Sequence, residues 1–152
     1  VSQEIERKFL VSGDGWRSGA ERVRIRQGYL ATRPTVRIRT AGDQGFITVK
    51  GAPRGIVRAE YEYEIPLGEA SEMLDTLCQR PLIDKWRYRV THAGLVWEVD
   101  EFLAENAGLI VAEVELPDPT QAFELPPWVG PEVSDDPRYS NAALSQRPYS
   151  TW

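Results

Sequence analysis

The chain is poor in the residues that most often carry catalysis. Its 152 residues include one histidine, His92, and one cysteine, Cys78. An intramolecular disulfide is excluded. Cys/His or Ser/His nucleophilic chemistry and histidine-based metal sites are poorly supplied. Cys78 lies in an apolar-patterned helical segment and reads as a core residue. His92 precedes Ala93-Gly94 in an expected turn. Lysine is scarce too: of 18 basic residues only Lys8, Lys50 and Lys85 are lysine, and the other 15 are arginine. No apolar run approaches the ~18 residues of a membrane span, and Val1–Val11 carries no secretory signal pattern. The expectation is a single domain over 1–152, cytoplasmic, with no membrane partner. A net charge of −5 and the lack of a basic patch interleaved with aromatics argue against a nucleic-acid partner. Nothing in the sequence speaks to oligomeric state.

What the chain has is charge repeated with period two. In a strand, alternate side chains share a face. Glu4, Glu6 and Lys8 then share one face and Ile5, Arg7 and Phe9 the other. Two neighbouring carboxylates on a rigid strand repel unless a cation or an opposing field sits over them. That suggests a divalent metal on Glu4 and Glu6, with Lys8 on an anionic ligand. The pattern recurs at Arg37 and Arg39, at Lys50, at Glu60, Glu62 and Glu64, at Lys85, Arg87 and Arg89, at Glu98 and Asp100, and at Glu113 and Glu115. A half-buried antiparallel strand ordinarily has one polar face. Here those faces are Glu, Asp, Lys and Arg almost throughout, with Thr48 the main interruption. Keeping lysine at three such positions in an arginine-rich chain favours a compact point charge over a planar fork there.

Turn residues divide the chain into eight expected strands, at 3–11, 22–30, 34–40, 45–50, 57–66, 83–91, 95–102 and 109–116. Short connections imply antiparallel hairpins. One clear helix is expected over Glu69–Arg80, with Ala70, Met73, Leu74 and Leu77 on its apolar face and Pro81 ending it. A short helix is expected at Asn141–Gln146. The proline-rich stretch 117–137 reads as an extended loop anchored by Phe123, Leu125 and Trp128. The expected fold class is mainly β (α+β): an eight-stranded antiparallel barrel, closed or nearly closed, with a few flanking helices. Periodicity alone does not say whether the charged faces point into the barrel or out of it.

Residues 4–10, Glu-Ile-Glu-Arg-Lys-Phe-Leu, match an ExExK signature. Gln27-Gly28-Tyr29-Leu30, Val36–Arg39, Thr48–Gly51, Glu60–Ile65, Lys85–Tyr88, Trp97–Asp100, Glu113–Leu116 and Tyr139-Ser140-Asn141 follow in order. The ordered set covers nearly the whole chain and resembles the CYTH superfamily, the triphosphate tunnel metalloenzymes, in their short stand-alone bacterial form. The resemblance implies a tunnel with charges pointing inward. Glu4, Glu6 and one or both of Glu113 and Glu115 would hold metal, and Lys8, Arg37, Arg39, Lys50, Lys85 and Arg87 would contact phosphate. Glu60, Glu62, Glu98 and Asp100 would complete the acidic side through water or a second metal. Arg24 and Arg26 share a face whose direction stays open. Eight acids against six bases leave the proposed lumen net negative. Mg²⁺ or Mn²⁺, which suit carboxylate ligands, would turn it positive.

The expected activity is divalent-metal-dependent hydrolysis of inorganic triphosphate or a related small-molecule triphosphate. Lys8 and Arg39 would act on the transferring phosphoryl group, and Glu62 or Asp100 would prepare the water. Adenylate cyclase, thiamine or nucleoside triphosphatase and RNA 5′-triphosphatase share the fold, and a non-catalytic polyphosphate-binding module is the alternative of another class.

Overall fold

The structure is a computed structural model and describes residues 3–152. Nine strands and two α-helices account for most of it: β1 (Gln3–Val11), β2 (Glu21–Thr32), β3 (Thr35–Ala41), β4 (Gln44–Lys50), β5 (Val57–Ile65), α1 (Leu67–Thr76), β6 (Ile83–His92), β7 (Leu95–Phe102), β8 (Ile110–Glu115), β9 (Val129–Glu132) and α2 (Asn141–Gln146). Every pairing is antiparallel. The order β5-β4-β3-β2-β6-β7-β8-β1 closes through β1 on β5, so eight strands form a barrel. No helix among the described residues is long and apolar enough to cross a membrane.

The ninth strand was not expected; its residues fell within the stretch read as a loop. Its cause is a gap in the barrel wall. β1 pairs β5 only over Gln3–Ile5, and β9 pairs with it farther along, at Phe9 and Val11. Pro131 is tolerated because β9 is an edge strand. Within the same stretch Trp128 is buried and Phe123 packs on the core, whereas Leu125 is exposed and anchors nothing.

The apolar faces lie mostly outside the barrel, under three covers. Trp16 from the β1–β2 loop, with Phe123 and Trp128, covers Phe9, Tyr88, Trp97 and Val99. Helix α1 covers Ile38 and its neighbours through Ala70 and Leu74. That helix comes very close: a Cβ at Gly45 would stand 2.7 Å from Ala70 Cβ. It ends at Thr76 rather than Arg80. The residue before Pro81 is disfavoured in helical geometry, and Cys78 turns inward against Gly28, where an added Cβ would stand 2.7 Å from its own. Cys78 is buried as expected, but beyond the helix.

The third cover seals one end of the barrel from within. Ile83, Phe102 and Val111 continue, at period two, the faces that carry Lys85, Asp100 and Glu113. They pack on Leu144 of α2. The interior is thus charged along most of its length and apolar at one end.

Candidate active site

The barrel encloses a cavity of about 720 Å³. Glu4, Glu6 and Lys8 from β1 reach it, as do Arg37 and Arg39 from β3 and Lys50 from β4. Glu60 and Glu62 come from β5, Lys85 and Arg87 from β6, Glu98 from β7, and Glu113 and Glu115 from β8. The charged faces therefore point inward. Asp100 is the exception: it lies behind the lining, with no exposed surface.

Strand β2 breaks the pattern. Its charged face points outward, where Arg24 is bonded to Asp84 (2.6 Å) and lies beside the Trp86 ring, and Arg26 stands 3.6 Å from Asp75. The inward face carries Ile25, Gln27 and Tyr29, and Tyr29 lines the cavity. Sequence reasoning also missed Arg58, Asp135, Asp136 and Asn141 in the lining. Arg58 shares the alternation of Glu60 and Glu62 and was within reach of that rule. Asp135 and Asp136 come from an irregular segment and Asn141 opens α2, so the strand period reaches none of the three. With them, seven bases face nine acids, so the lining is formally net negative.

The charges separate into two regions. On one side Asp100 accepts from Lys85 Nζ (2.7 Å), Arg87 Nε (2.8 Å) and Arg87 Nη2 (2.9 Å). Burial opposes its charge, but these cations hold its carboxyl well below the usual range. Three short bonds from cations hold it, and it lines no part of the cavity. Burial pushes Lys85 down to about 8. Nearby, burial and the neighbouring charges of Arg37 and Arg87 lower Arg39 to about 10. The Nε atoms of Arg37 and Arg39 are buried with no protein partner among the described residues, so two donors stand ready for an anion.

On the other side the carboxylates crowd one another. Glu6 lies directly across from Glu115, a like-charge cross-strand pair. Burial, then Glu113, raises Glu6 to about 8. Burial and Glu4, which is also within hydrogen-bond reach, raise Glu60. Burial, then Glu60 and Glu4, raise Glu115. Lys50 sits 2.8 Å from Glu4 and 3.4 Å from Glu60, and Lys8 lies 4.0 Å from Glu6 and 3.9 Å from Glu113. Burial opposes the charge on Lys8, but Glu113 and Glu6 hold its pKa above the usual lysine value. Glu113 is the satisfied member of the wall: burial disfavours its charge, yet Lys8 and Arg87 keep it ionised. The donor chemistry suits a hard divalent cation, all carboxylate and short of positive charge. The carboxylates meet in pairs: no group of three or more potential ligands is gathered around one point among the described residues.

Glu62 lies between the regions, accepting from Thr48 (2.8 Å), Arg39 (3.2 Å) and Arg37 (3.3 Å) while keeping a third of its side chain exposed. Of the two carboxylates considered for the attacking water, only Glu62 reaches the cavity.

Known proteins share this architecture. The chain is 51% identical over 154 residues to an inorganic triphosphatase of Acetivibrio thermocellus, covering 100% of this chain and 99% of that one. It is 40% identical over 151 residues to an inorganic triphosphatase of Nitrosomonas europaea, covering 93% and 96%. The crystal structure of an inorganic triphosphatase superposes with a TM-score of 0.68 at 36% identity, covering 93% of each chain. A Hippeastrum protein first taken for an adenylyl cyclase, whose dominant activity is that of a triphosphatase, has a TM-score of 0.60 at 17% identity, covering 76% of this chain and 80% of that one, a likeness of fold alone. The CYTH domain family matches residues 2–149, and the chain belongs to that family.

Proposed function

We propose that this protein is an enzyme that hydrolyses inorganic triphosphate with a divalent cation, Mg²⁺ or Mn²⁺. The carrying observation is the split interior. Basic side chains with unpartnered donors face carboxylates that lack positive charge, inside a cavity suited to a small polyanion. Two relatives that match nearly the whole chain bear the name inorganic triphosphatase.

In this reading Arg37, Arg39, Lys50, Lys85 and Arg87 bind and align the phosphates. Arg39 and Lys8 lie against the charge that builds on the transferring phosphoryl group. Asp100 keeps Lys85 and Arg87 extended into the lumen. Glu62 orients a water for in-line attack on the terminal phosphorus. The new P–O bond forms as the bridging P–O bond breaks, pyrophosphate leaves with the electron pair, and the water's proton passes by way of Glu62 to solvent. Glu4, Glu6 and Glu115 would hold the cation, with Glu60 and Glu113 beside them. Glu98 would serve as a water-mediated neighbour. The cation, when bound, neutralises charge on phosphate oxygens.

The test is turnover with inorganic triphosphate, ATP and thiamine triphosphate side by side, with and without Mg²⁺, and with product analysis. Phosphate and pyrophosphate from inorganic triphosphate, dependent on the cation, are expected. Cyclic AMP as the main product from ATP would make the site a cyclase. Binding of all three without turnover would make it a binding module.

A further inference from the structure

Asn141 lies at the sealed end of the cavity and belongs to no part of the machinery above. It is the first residue of α2, three positions before Leu144. Residues at this spacing share a helix face. Leu144 is fully buried in the apolar seal, so Asn141 is carried to the boundary between that seal and the charged lumen, which it lines. Ser140 fixes the start of the helix, its hydroxyl accepting from Ala143 N–H at 3.1 Å.

One contact fixes the amide's orientation. Lys85 Nζ donates to Asn141 Oδ1 at 2.9 Å. An ammonium has donors and no acceptor, so it can meet only the amide oxygen. The –NH₂ end must then point away from Lys85. Among the described residues it has no protein partner, while the side chain borders the cavity. An asparagine held by its oxygen offers two neutral N–H donors beside the buried cations Lys85 and Arg87.

We propose that Asn141 is a substrate-binding residue. Lys85 holds its amide oxygen, and its –NH₂ group donates to an oxygen of the phosphate group lodged at the sealed end. The proposal rests on the phosphate-binding reading of the cavity and adds a contact from outside the barrel strands. Its consequence is that α2 both closes the barrel end and reads the phosphate there.

Two substitutions separate this role from support of Lys85 alone. Asn141→Asp keeps the size and the acceptor for Lys85, makes that bond charge-assisted, and replaces the donors with a negative oxygen. Asn141→Leu is similar in size and removes both acceptor and donors. Were Asn141 only a support for Lys85, Asp would be tolerated and Leu would be the worse replacement. If the –NH₂ group meets phosphate, the order reverses. The Leu variant should lose about tenfold in kcat/KM, as for a neutral hydrogen bond with its attendant desolvation. The Asp variant should lose roughly 100-fold or more, with a marked rise in KM, through like-charge repulsion.

Thermal melting reports whether each variant folds. If Leu does not fold, Asn141→Ala replaces it in the ranking. An Asp variant as active as wild type, or more active than the apolar variant, overturns the proposal. Should wild type fail to hydrolyse triphosphate at all, the functional reading fails separately. Calorimetric binding of pyrophosphate with Mg²⁺ then decides the contact: weaker binding by Asp than by the apolar variant supports it, and the opposite order overturns it.

Discussion

Two clusters of charge inside one barrel have opposite characters. Around Asp100 the carboxylate is satisfied: two cations bond to it, and one of them also holds the Asn141 amide, all in short hydrogen bonds. Around Glu6 the carboxylates are not: Glu115 stands across from it, and Glu60 and Glu4 crowd each other, with two lysines shared among several acids. In the first cluster the acid has all the positive charge it needs within the protein. The second departs from the rule that like charges are kept from facing one another across strands. Such a departure in an otherwise consistent fold marks a functional site. Asp100 teaches that a buried acid in a charged tunnel can be scaffold, and Glu6 that an under-neutralised acid is the one awaiting a partner.

The largest expected effect breaks the unfinished cluster. Glu4→Gln and Glu6→Gln should each reduce turnover roughly 1000-fold, as when several kcal/mol of transition-state charge stabilisation is lost. Each should remain folded, since a repulsion is removed along with the charge. Steady-state kinetics at saturating Mg²⁺, with thermal melting alongside, checks both halves. Near-normal turnover in either variant would remove the cation assignment.

Breaking the finished cluster should act on the fold instead. Asp100→Asn takes from buried Lys85 its bonded carboxylate and leaves Arg87 only Glu98 (3.4 Å) and Glu113 (3.6 Å), which should cost about 3–5 kcal/mol of stability. Urea unfolding measures it. A variant as stable as wild type that has lost all activity would mean that Asp100 takes part in the chemistry directly.

A third comparison sets the lumen against the surface. Arg39→Ala removes a cavity-lining cation and should weaken transition-state binding by about 1.5–3 kcal/mol, read as a fall in kcat/KM. Arg54, in the exposed β4–β5 connection, is the control, and Arg54→Ala should change little. Equal losses at the two positions would contradict a substrate-facing Arg39.

Much of this was legible in the sequence because a strand has period two. Glu4/Glu6/Lys8, Lys85/Arg87 and Glu113/Glu115 could be grouped correctly before any coordinates, and the turns set eight strands closely. Which way the faces pointed was not legible: a barrel is equally consistent with charge inside or outside until its apolar cover is seen. Strand β2 shows the limit. Its arginines alternate as regularly as those of β3, yet they face outward because Trp86, Asp84 and Asp75 receive them there. The place of Asn141 beside Lys85 and the pairing of β9 were hidden for another reason. Both depend on contacts between segments more than fifty residues apart, which no local pattern encodes.

The smallest effect sharpens the comparison through pH. Burial and Glu113 raise Glu6 from the ordinary 4.5 to about 8 in the folded, cation-free protein. Between those values the folded state holds a proton that the unfolded chain has released. Stability should therefore fall as pH rises through that window, since stability rises with pH only where the unfolded state binds more protons. Glu60 and Glu115 are raised as well and act in the same direction. Asp100 cannot contribute there, because its carboxyl is ionised at lower pH. Melting in chelator from pH 5 to 8 should thus show a decline. Added Mg²⁺ should flatten it by favouring the ionised carboxylates. Glu115→Gln should flatten it in chelator too, and raise stability near pH 8 by about 0.2–1 kcal/mol, the scale of a like-charge cross-strand pair. The same decline in chelator and in Mg²⁺ would mean that the cation does not bind at this wall, and that its crowded acids are relieved by protons alone.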